Sequence, residues 1–155
     1  MSSRFAVISD GSCDFSQEEA DRLSVTLVPF YVSFDDKTYR KEGVDVGVRD
    51  FYQEMVDHPG VFPKSSMPSV DDYIQVFRPF AAAGTPVLCI CITTKFSGSY
   101  NCAVTAAGIL REEYPHCVLR IMDSRVNTVL QGEVVREAVR LRDEGCDLEE
   151  AFQRL

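Results

Sequence analysis

The sequence predicts an α/β fold in which a mostly parallel sheet carries helices on both faces. Short apolar runs followed by polar turns indicate strands, and apolar side chains at helical spacing indicate helices between them. Strands that alternate with helices are joined by right-handed crossovers, which place the helices on both sides of a parallel sheet. With 155 residues, 45% of them hydrophobic, the chain is long enough to build a core.

The first half of the chain is predicted to contain two strands, a small hairpin and two helices. In chain order these are a strand at 5–8, a helix at 16–23, a strand at 25–34, a hairpin return at 37–40 and a helix at 48–56. Ser16 and Glu19 form a capping box that starts the first helix. Pro29 has no N–H to donate to a sheet and predicts a break in its strand. Two flanking prolines keep Ser65 and Ser66 out of a helix.

The second half continues the alternation of helix and strand. In chain order the predicted elements are a helix from 69 to 83, a strand at 87–92, a helix that ends before residue 115, a strand at 118–122, and helices at 131–144 and 148–155. Ser69 followed by Asp72 marks a helix start, and Gly84 is a suitable C-terminal cap. The run 87–92 is apolar at every position, as expected for a strand that is buried on both faces.

Composition and cysteine pattern exclude several classes of function. Sixteen Lys and Arg against 24 Asp and Glu give a net charge of −8, so general binding to nucleic acid or to an anionic membrane is disfavoured. No run of 18 apolar residues is present, which predicts no stable membrane insertion, and the N-terminus lacks an apolar signal segment, which predicts a cytoplasmic protein. None of the six cysteines forms a CxxC pair, so buried thiols are expected rather than a redox or metal site.

The predicted ligand site lies at the carboxyl ends of the strands, where parallel α/β sheets bind ligands. The loops at that edge are residues 9–12, 93–99 and 123–128. Ser97, Gly98 and Ser99 stand where a strand leads into a helix, and a helix N-terminus offers free N–H groups and partial positive charge. The segment therefore suits a small anion such as a carboxylate or a phosphate; the alternative is that Ser97 or Ser99 only caps the helix.

Other polar residues add to this candidate site. Ser65 and Ser66 offer a second pair of hydroxyls in an extended loop, although an ordinary solvated turn would also account for them. Asp10 and Ser12 follow the first strand, in a turn that either orders the loop through its side chain or touches a partner or a substrate phosphate. The loops are rich in hydroxyl groups and poor in catalytic groups.

An enzyme is the competing hypothesis, either a hydrolase that uses Ser97 or a phosphoryl-transfer domain that uses Asp10. The Gly-x-Ser-x-Gly motif of a nucleophile elbow is absent around Ser97. The only histidines, His58 and His116, both stand beside prolines in predicted connections. Ser12 occupies the position two residues after Asp10, where phosphoaspartyl enzymes usually carry a second Asp. A base for Ser97 would have to be one of these histidines or an acidic side chain, and the missing base and metal signatures weigh against both reactions.

Five short segments resemble, in order and approximate spacing, the motifs of the DegV family. They are residues 8–14 (ISDGSCD), 28–30 (VPF), 64–69 (KSSMPS), 96–100 (FSGSY) and 122–124 (MDS). The resemblance extends from about residue 5 to the end of the chain. Ser65 and Ser99 stand where the family usually has Thr, which keeps the hydroxyls, whereas Met67 replaces a Gln and removes an amide.

The resemblance implies a protein that binds a long-chain fatty acid, such as palmitate or oleate, and needs no cofactor. The family holds the carboxylate with two hydroxyls, which correspond here to Ser65 and Ser97. The supporting residues of the site are Ser66, Gly98, Ser99, Asp10, Ser12, Asp123 and Ser124. In the family the acyl chain lies in a tunnel between two domains.

The resemblance also implies a partner and a domain division. Some family members present the fatty acid to a fatty-acid kinase, so the expected role is that of a carrier and not of an enzyme. Family members are about twice as long as this chain. Residues 1–155 are therefore expected to form the N-terminal domain, with a second domain needed to close the tunnel.

Overall fold

The computed structural model describes residues 5–155, which contain two sheets. The strands, in chain order, are β1 (Ala6–Asp10), β2 (Val25–Val28), β3 (Tyr31–Ser33), β4 (Arg40–Lys41), β5 (Lys64–Ser66), β6 (Val87–Cys91) and β7 (Leu119–Asp123). The main sheet has the order β2-β1-β6-β7, and all of its pairs are parallel. The carboxyl ends of β1, β6 and β7 therefore meet at one edge.

Six α-helices of the described residues alternate with the strands of the main sheet or follow the last strand, as the sequence predicts. They are α1 (Gln17–Leu23), α2 (Val48–Asp57), α3 (Val70–Ala83), α4 (Ser99–Glu113), α5 (Val129–Asp143) and α6 (Leu148–Arg154). Ser16 accepts a hydrogen bond from the Glu19 N–H at the start of α1, and Ser69 and Asp72 form a complete capping box at α3. Gly84 closes α3 with a φ of +66°, a conformation that favours glycine. Within the described part of the chain, no helix is both long and apolar enough to cross a membrane.

The main sheet is covered on both faces, which confirms the predicted α/β architecture. All five residues of β6 are buried, and they alternate between two apolar cores. Cys89 and Cys91 belong to the core beneath α3 and α4, whereas Leu88 and Ile90 belong to the core beneath α1, α5 and α6. A strand that packs on both sides needs an apolar residue at every position, and this explains the uninterrupted apolar run.

The second sheet is small and antiparallel, with the order β4-β3-β5. Pro29 separates β2 from β3, so the predicted break in the strand is confirmed. The hairpin return is shifted, because β4 begins at Arg40 and not at residue 37. The Asp35 carboxylate accepts the N–H groups of Lys37 and Thr38 at 2.9 and 2.7 Å, which holds both residues in the turn.

A buried carboxylate on α3 fixes the small antiparallel sheet against that helix. Asp72 accepts hydrogen bonds from the Tyr31 hydroxyl at 2.9 Å and from the Ser69 hydroxyl at 2.6 Å, and its oxygen lies 2.9 Å from the Lys41 ammonium. Burial raises the pKa of Asp72, but these hydrogen bonds outweigh it and lower the pKa to about 2. The strand that carries Ser65 is thereby held at a fixed place relative to α3.

Candidate functional site

The loops that follow β6 and β7 are joined at the carboxyl edge of the main sheet. The Thr93 N–H donates to the Val126 carbonyl at 3.0 Å, and the Ser124 N–H donates to the Cys91 carbonyl at 3.0 Å. The Thr94 hydroxyl adds a bond of 2.8 Å to the Asp123 carboxylate. Two of the three loops predicted to form the site are thus one connected unit.

The first turn of α4 presents several unused donors. The Ser97 hydroxyl oxygen accepts the N–H of Ser99 at 3.1 Å, so its hydrogen is available to a ligand. In the described part of the chain, the N–H groups of Gly98, Tyr100 and Asn101 have no protein acceptor. A half-buried hydroxyl and free N–H groups at a helix N-terminus form an arrangement that binds a small anion.

The β5 segment lies directly beside this turn. A Cβ added to Gly98 would lie 2.8 Å from the sulfur of Met67, so the Met67 side chain packs against the glycine. Ser65 and Ser66 precede Met67, are exposed, and pair with Val32 and Tyr31 of β3. The structure therefore brings the two predicted hydroxyl segments together through the contact between Met67 and Gly98.

Asp10, at the end of β1, is fully buried beneath α4. One carboxylate oxygen accepts the Ile92 N–H at 2.9 Å and the Ser99 hydroxyl at 2.7 Å. The other lies 2.7 Å from the Ser12 hydroxyl and 2.8 Å from the Gln131 amide nitrogen. Asp10 thus holds together the ends of β1 and β6 and the starts of α4 and α5, which is the loop-ordering role considered for it from the sequence.

The Ser99 hydroxyl serves this network and not the ligand. The Ser99 hydroxyl donates its one hydrogen to the Asp10 carboxylate, so the Tyr73 hydroxyl, 2.6 Å away, donates to Ser99. Burial, together with Cys91, Cys89 and Asp10 nearby, raises the pKa of Tyr73, which keeps its phenol protonated. The serine that can offer a hydroxyl hydrogen to a ligand at the start of α4 is therefore Ser97.

Asp123 and Ser124 use their side chains within their own loop. Besides its contact with Thr94, the Asp123 carboxylate accepts the Arg125 N–H at 2.9 Å, and the Ser124 hydroxyl donates to the Val126 carbonyl at 3.0 Å. Burial raises the pKa of Asp123, but the bonds from Arg125 and Thr94 outweigh it, and the net shift is downward. These two residues shape the edge of the site.

Sequence reasoning missed two members of the buried network, Tyr73 and Gln131. Both occur at ordinary helix positions, where an aromatic residue indicates core and a glutamine indicates surface, and both are completely buried. Their roles depend on α3 and α5 packing against opposite faces of the sheet. No local signal in the sequence identifies either residue.

Within residues 5–155, the hydrogen-bond partners of Ser97 and Asp10 include no histidine and no second carboxylate. No histidine or carboxylate in the described part of the chain accepts a hydrogen bond from Ser97, and His58 lies exposed at the end of α2 beside the Glu54 carbonyl. The Asp10 carboxylate is already surrounded by the hydrogen-bonding groups of Ile92, Ser99, Ser12 and Gln131. Among residues 5–155 no group of three or more potential metal ligands occurs.

Comparison with protein families matches residues 4–155 to a family described as "uncharacterised protein, DegV family". The chain belongs to the DegV family. The resemblance drawn from five short segments is confirmed by this match. A DegV domain-containing protein of Clostridium acetobutylicum is 31% identical over 144 residues, which are 93% of this chain and 49% of that protein.

Two solved structures of fatty-acid-binding proteins share the fold. A stearic-acid-binding protein from Eubacterium ventriosum is 44% identical, with a TM-score of 0.93 over 97% of this chain and 51% of that one. A fatty-acid-binding DegV protein from Thermus thermophilus is 27% identical, with a TM-score of 0.81 over the same shares. The chain thus spans about half the length of these relatives.

Proposed function

We propose that this chain binds the carboxylate of a long-chain fatty acid at the start of α4, with Ser97 and Ser65 as its hydroxyl donors. The observation that carries the proposal is the group of unused donors in the first turn of α4, next to β5. Its 44% identity to a stearic-acid-binding protein supports a fatty acid as the ligand.

The arrangement is energetically suited to such a ligand. Burying a carboxylate is unfavourable unless it is hydrogen-bonded, and the Ser97 hydroxyl with the N–H groups of Gly98, Tyr100 and Asn101 supplies those bonds. An acyl chain gains about 0.8 kcal/mol for each CH₂ that it buries. The acyl chain therefore provides most of the affinity, and the site only has to supply the hydrogen bonds that the carboxylate loses when it leaves water.

The proposed role is that of a cytoplasmic carrier for acids such as palmitate or oleate, which presents the bound acid to a fatty-acid kinase. Residues 1–155 form one domain in this proposal, and a second domain closes the acyl tunnel. What supports it is that the chain covers about half the length of its relatives and that, within residues 5–155, no histidine or carboxylate hydrogen-bonds to Ser97. The chemistry would then belong to the kinase.

Lipid extraction of the complete protein, as its gene encodes it, tests the proposal. Mass spectrometry of the extract is expected to find a long-chain fatty acid in near-stoichiometric amount and to identify its length. Absence of lipid, together with no binding of added palmitate or oleate, would overturn the proposal. Turnover of an acyl ester that disappears in Ser97→Ala would establish the competing hydrolase instead.

A further inference from the structure

Ser65 lies on the free edge of the small antiparallel sheet. Asp72 holds β3 and β4 of that sheet against α3, whereas β5 is held through its pairing with β3 alone. In the part of the chain that the structure describes, no hydrogen bond joins residues 64–67 to the loop 93–99 that leads into α4. The distance from the Ser65 hydroxyl to Ser97 therefore depends on the packing of side chains between the two segments.

Ser97 lies on a firmer part of the site. Its hydroxyl accepts the Ser99 N–H, and the Ser99 hydroxyl donates to the completely buried carboxylate of Asp10 at 2.7 Å. A backbone hydrogen bond of 3.0 Å also joins the loop before α4 to the loop after β7. Of the two proposed hydroxyl donors, Ser65 is the one whose final placement depends on a side-chain contact.

Met67 provides that contact. The residue follows β5 directly, and its side chain lies over Gly98, where an added Cβ would be 2.8 Å from the sulfur and 3.2 Å from the terminal methyl carbon. The next residue, Pro68, is buried, and Ser69 caps α3, so the backbone after Met67 is fixed. The Met67 side chain thus holds the edge of β5 at a set distance from the start of α4.

Gly98 is the matching partner of Met67. Its φ of −81° and ψ of 5° are a conformation that other residues also adopt, so the backbone does not require a glycine here. The available space does require one, because non-bonded carbon atoms pack at about 3.5–4.0 Å and a Cβ would push the Met67 side chain back by about 1 Å. Such a shift is large for a binding site, whose groups must be held within about 0.5 Å.

We propose that Met67 is a positioning residue, whose contact with Gly98 sets the distance between the Ser65 and Ser97 hydroxyls so that both reach one carboxylate. The inference rests on the proposed function. Two donors on different segments bind a small anion together only when they converge on it. A methionine side chain is long, unbranched and adaptable, so it fills the gap between the two segments in a relaxed rotamer.

The first test measures the binding of myristate to the complete, delipidated protein by titration calorimetry. Met67→Ala removes the contact with Gly98 and is expected to weaken binding about tenfold, which corresponds to the loss of one hydrogen bond to a charged group. Met67→Leu has nearly the same volume and should stay within about threefold of the wild type. Met55→Ala makes the same truncation on α2 and should leave the affinity unchanged. An unchanged affinity in Met67→Ala would overturn the proposal.

Two double variants separate positioning from a direct contact between Met67 and the acyl chain. Ser65→Ala should cost about tenfold in the wild type but less than about threefold in Met67→Ala, where the Ser65 hydroxyl is already displaced. Gly98→Ala should also cost about tenfold, and the combination with Met67→Ala should stay near tenfold and not reach about a hundredfold. Losses that multiply in either pair would overturn the proposal.

Thermal unfolding of the same preparations identifies a purely structural effect. Met67 is 42% exposed, so Met67→Ala is expected to keep nearly the melting temperature of the wild type. A loss of affinity that follows the melting temperature across Met67→Ala, Met67→Leu and Met55→Ala would overturn the positioning role. Failure of the wild type to bind myristate at all would instead contradict the fatty-acid function.

Discussion

Replacing Ser97 with alanine removes the one hydroxyl that the start of α4 offers to a ligand. A hydrogen bond to a charged group is worth about 1.5–3 kcal/mol, which corresponds to roughly 10- to 150-fold in Kd. In the variant the Ser99 N–H loses its acceptor, the Ser97 hydroxyl. It can then donate to the ligand, as the N–H groups of Tyr100 and Asn101 can. This partial replacement places the expected loss near the lower limit, at roughly 10- to 30-fold.

Ser97→Ala also weakens the start of α4, and a matched control variant separates this loss of stability from the loss of affinity for the ligand. Ser97 accepts the Ser99 N–H at 3.1 Å, and Ser16 accepts the Glu19 N–H at the same distance at the start of α1. Ser16 is the N-cap of α1, and removing its bond costs about 1 kcal/mol of stability, whereas Ser97 precedes the N-cap Gly98 of α4 and its bond to Ser99 contributes no more than that. Ser16→Ala should therefore lose at least as much stability as Ser97→Ala and keep its full affinity for fatty acid.

Isothermal titration calorimetry of the delipidated protein with palmitate and with stearate measures the loss of affinity for fatty acid. Because the acyl chain contributes independently of the head group, the fold-loss in Ser97→Ala should be the same for both chain lengths. Thermal unfolding of the same preparations reports the stability cost. Unchanged affinity in Ser97→Ala, or an equal loss of affinity in Ser16→Ala, would refute the assignment of Ser97 as a carboxylate donor.

Two further predictions concern the framework that holds the site. The pKa of Asp72 is about 2, so its hydrogen bonds to the small sheet stabilise the fold at neutral pH, and this contribution of about 2 kcal/mol is lost as the pH falls from about 4 through 2. Asp72→Asn should lower stability at pH 7, and urea unfolding should show the difference shrinking in acid; a constant difference would contradict the prediction. Gly132→Ala should cost roughly 1–3 kcal/mol, because its Cβ would lie 2.7 Å from the Cys13 carbonyl oxygen. Gly108→Ala meets nothing within 4 Å and should gain about 0.5–1 kcal/mol in the same assay; equal effects at the two glycines would contradict the packing argument.

Most of the fold could be predicted from local signals in the sequence. The uninterrupted apolar run of β6 indicated a strand that is buried on both faces, and the serine caps of α1 and α3 begin those helices as expected. Two features were missed: residues 64–66, expected in an extended loop, form strand β5 beside β3, and the hairpin return begins later than predicted because the Asp35 side chain accepts two N–H groups of the turn. A side-chain bond of this kind competes with strand pairing, and the apolar pattern does not report it.

The candidate site was predicted less completely. Ser65 and Ser97 came from the family resemblance, and the position of Ser97 at a strand-to-helix junction was visible in the sequence. Nothing in the sequence indicated that Ser99 would donate inward to Asp10 while Ser97 keeps its hydrogen free. Two adjacent serine hydroxyls look alike in a sequence, and their roles depend on which acceptor lies within reach.

The sequence by itself determined the α/β class, the family and the segments that carry the hydroxyls, because these depend on periodicity, capping residues and short motifs. Only the tertiary structure decided how those segments work together. It places Met67 on Gly98, buries Asp10 completely, and brings Gln131 to Asp10 from 121 residues away in the chain. Such contacts arise when helices pack on a sheet, and the balance of donors, acceptors and charges at the site is set by that packing.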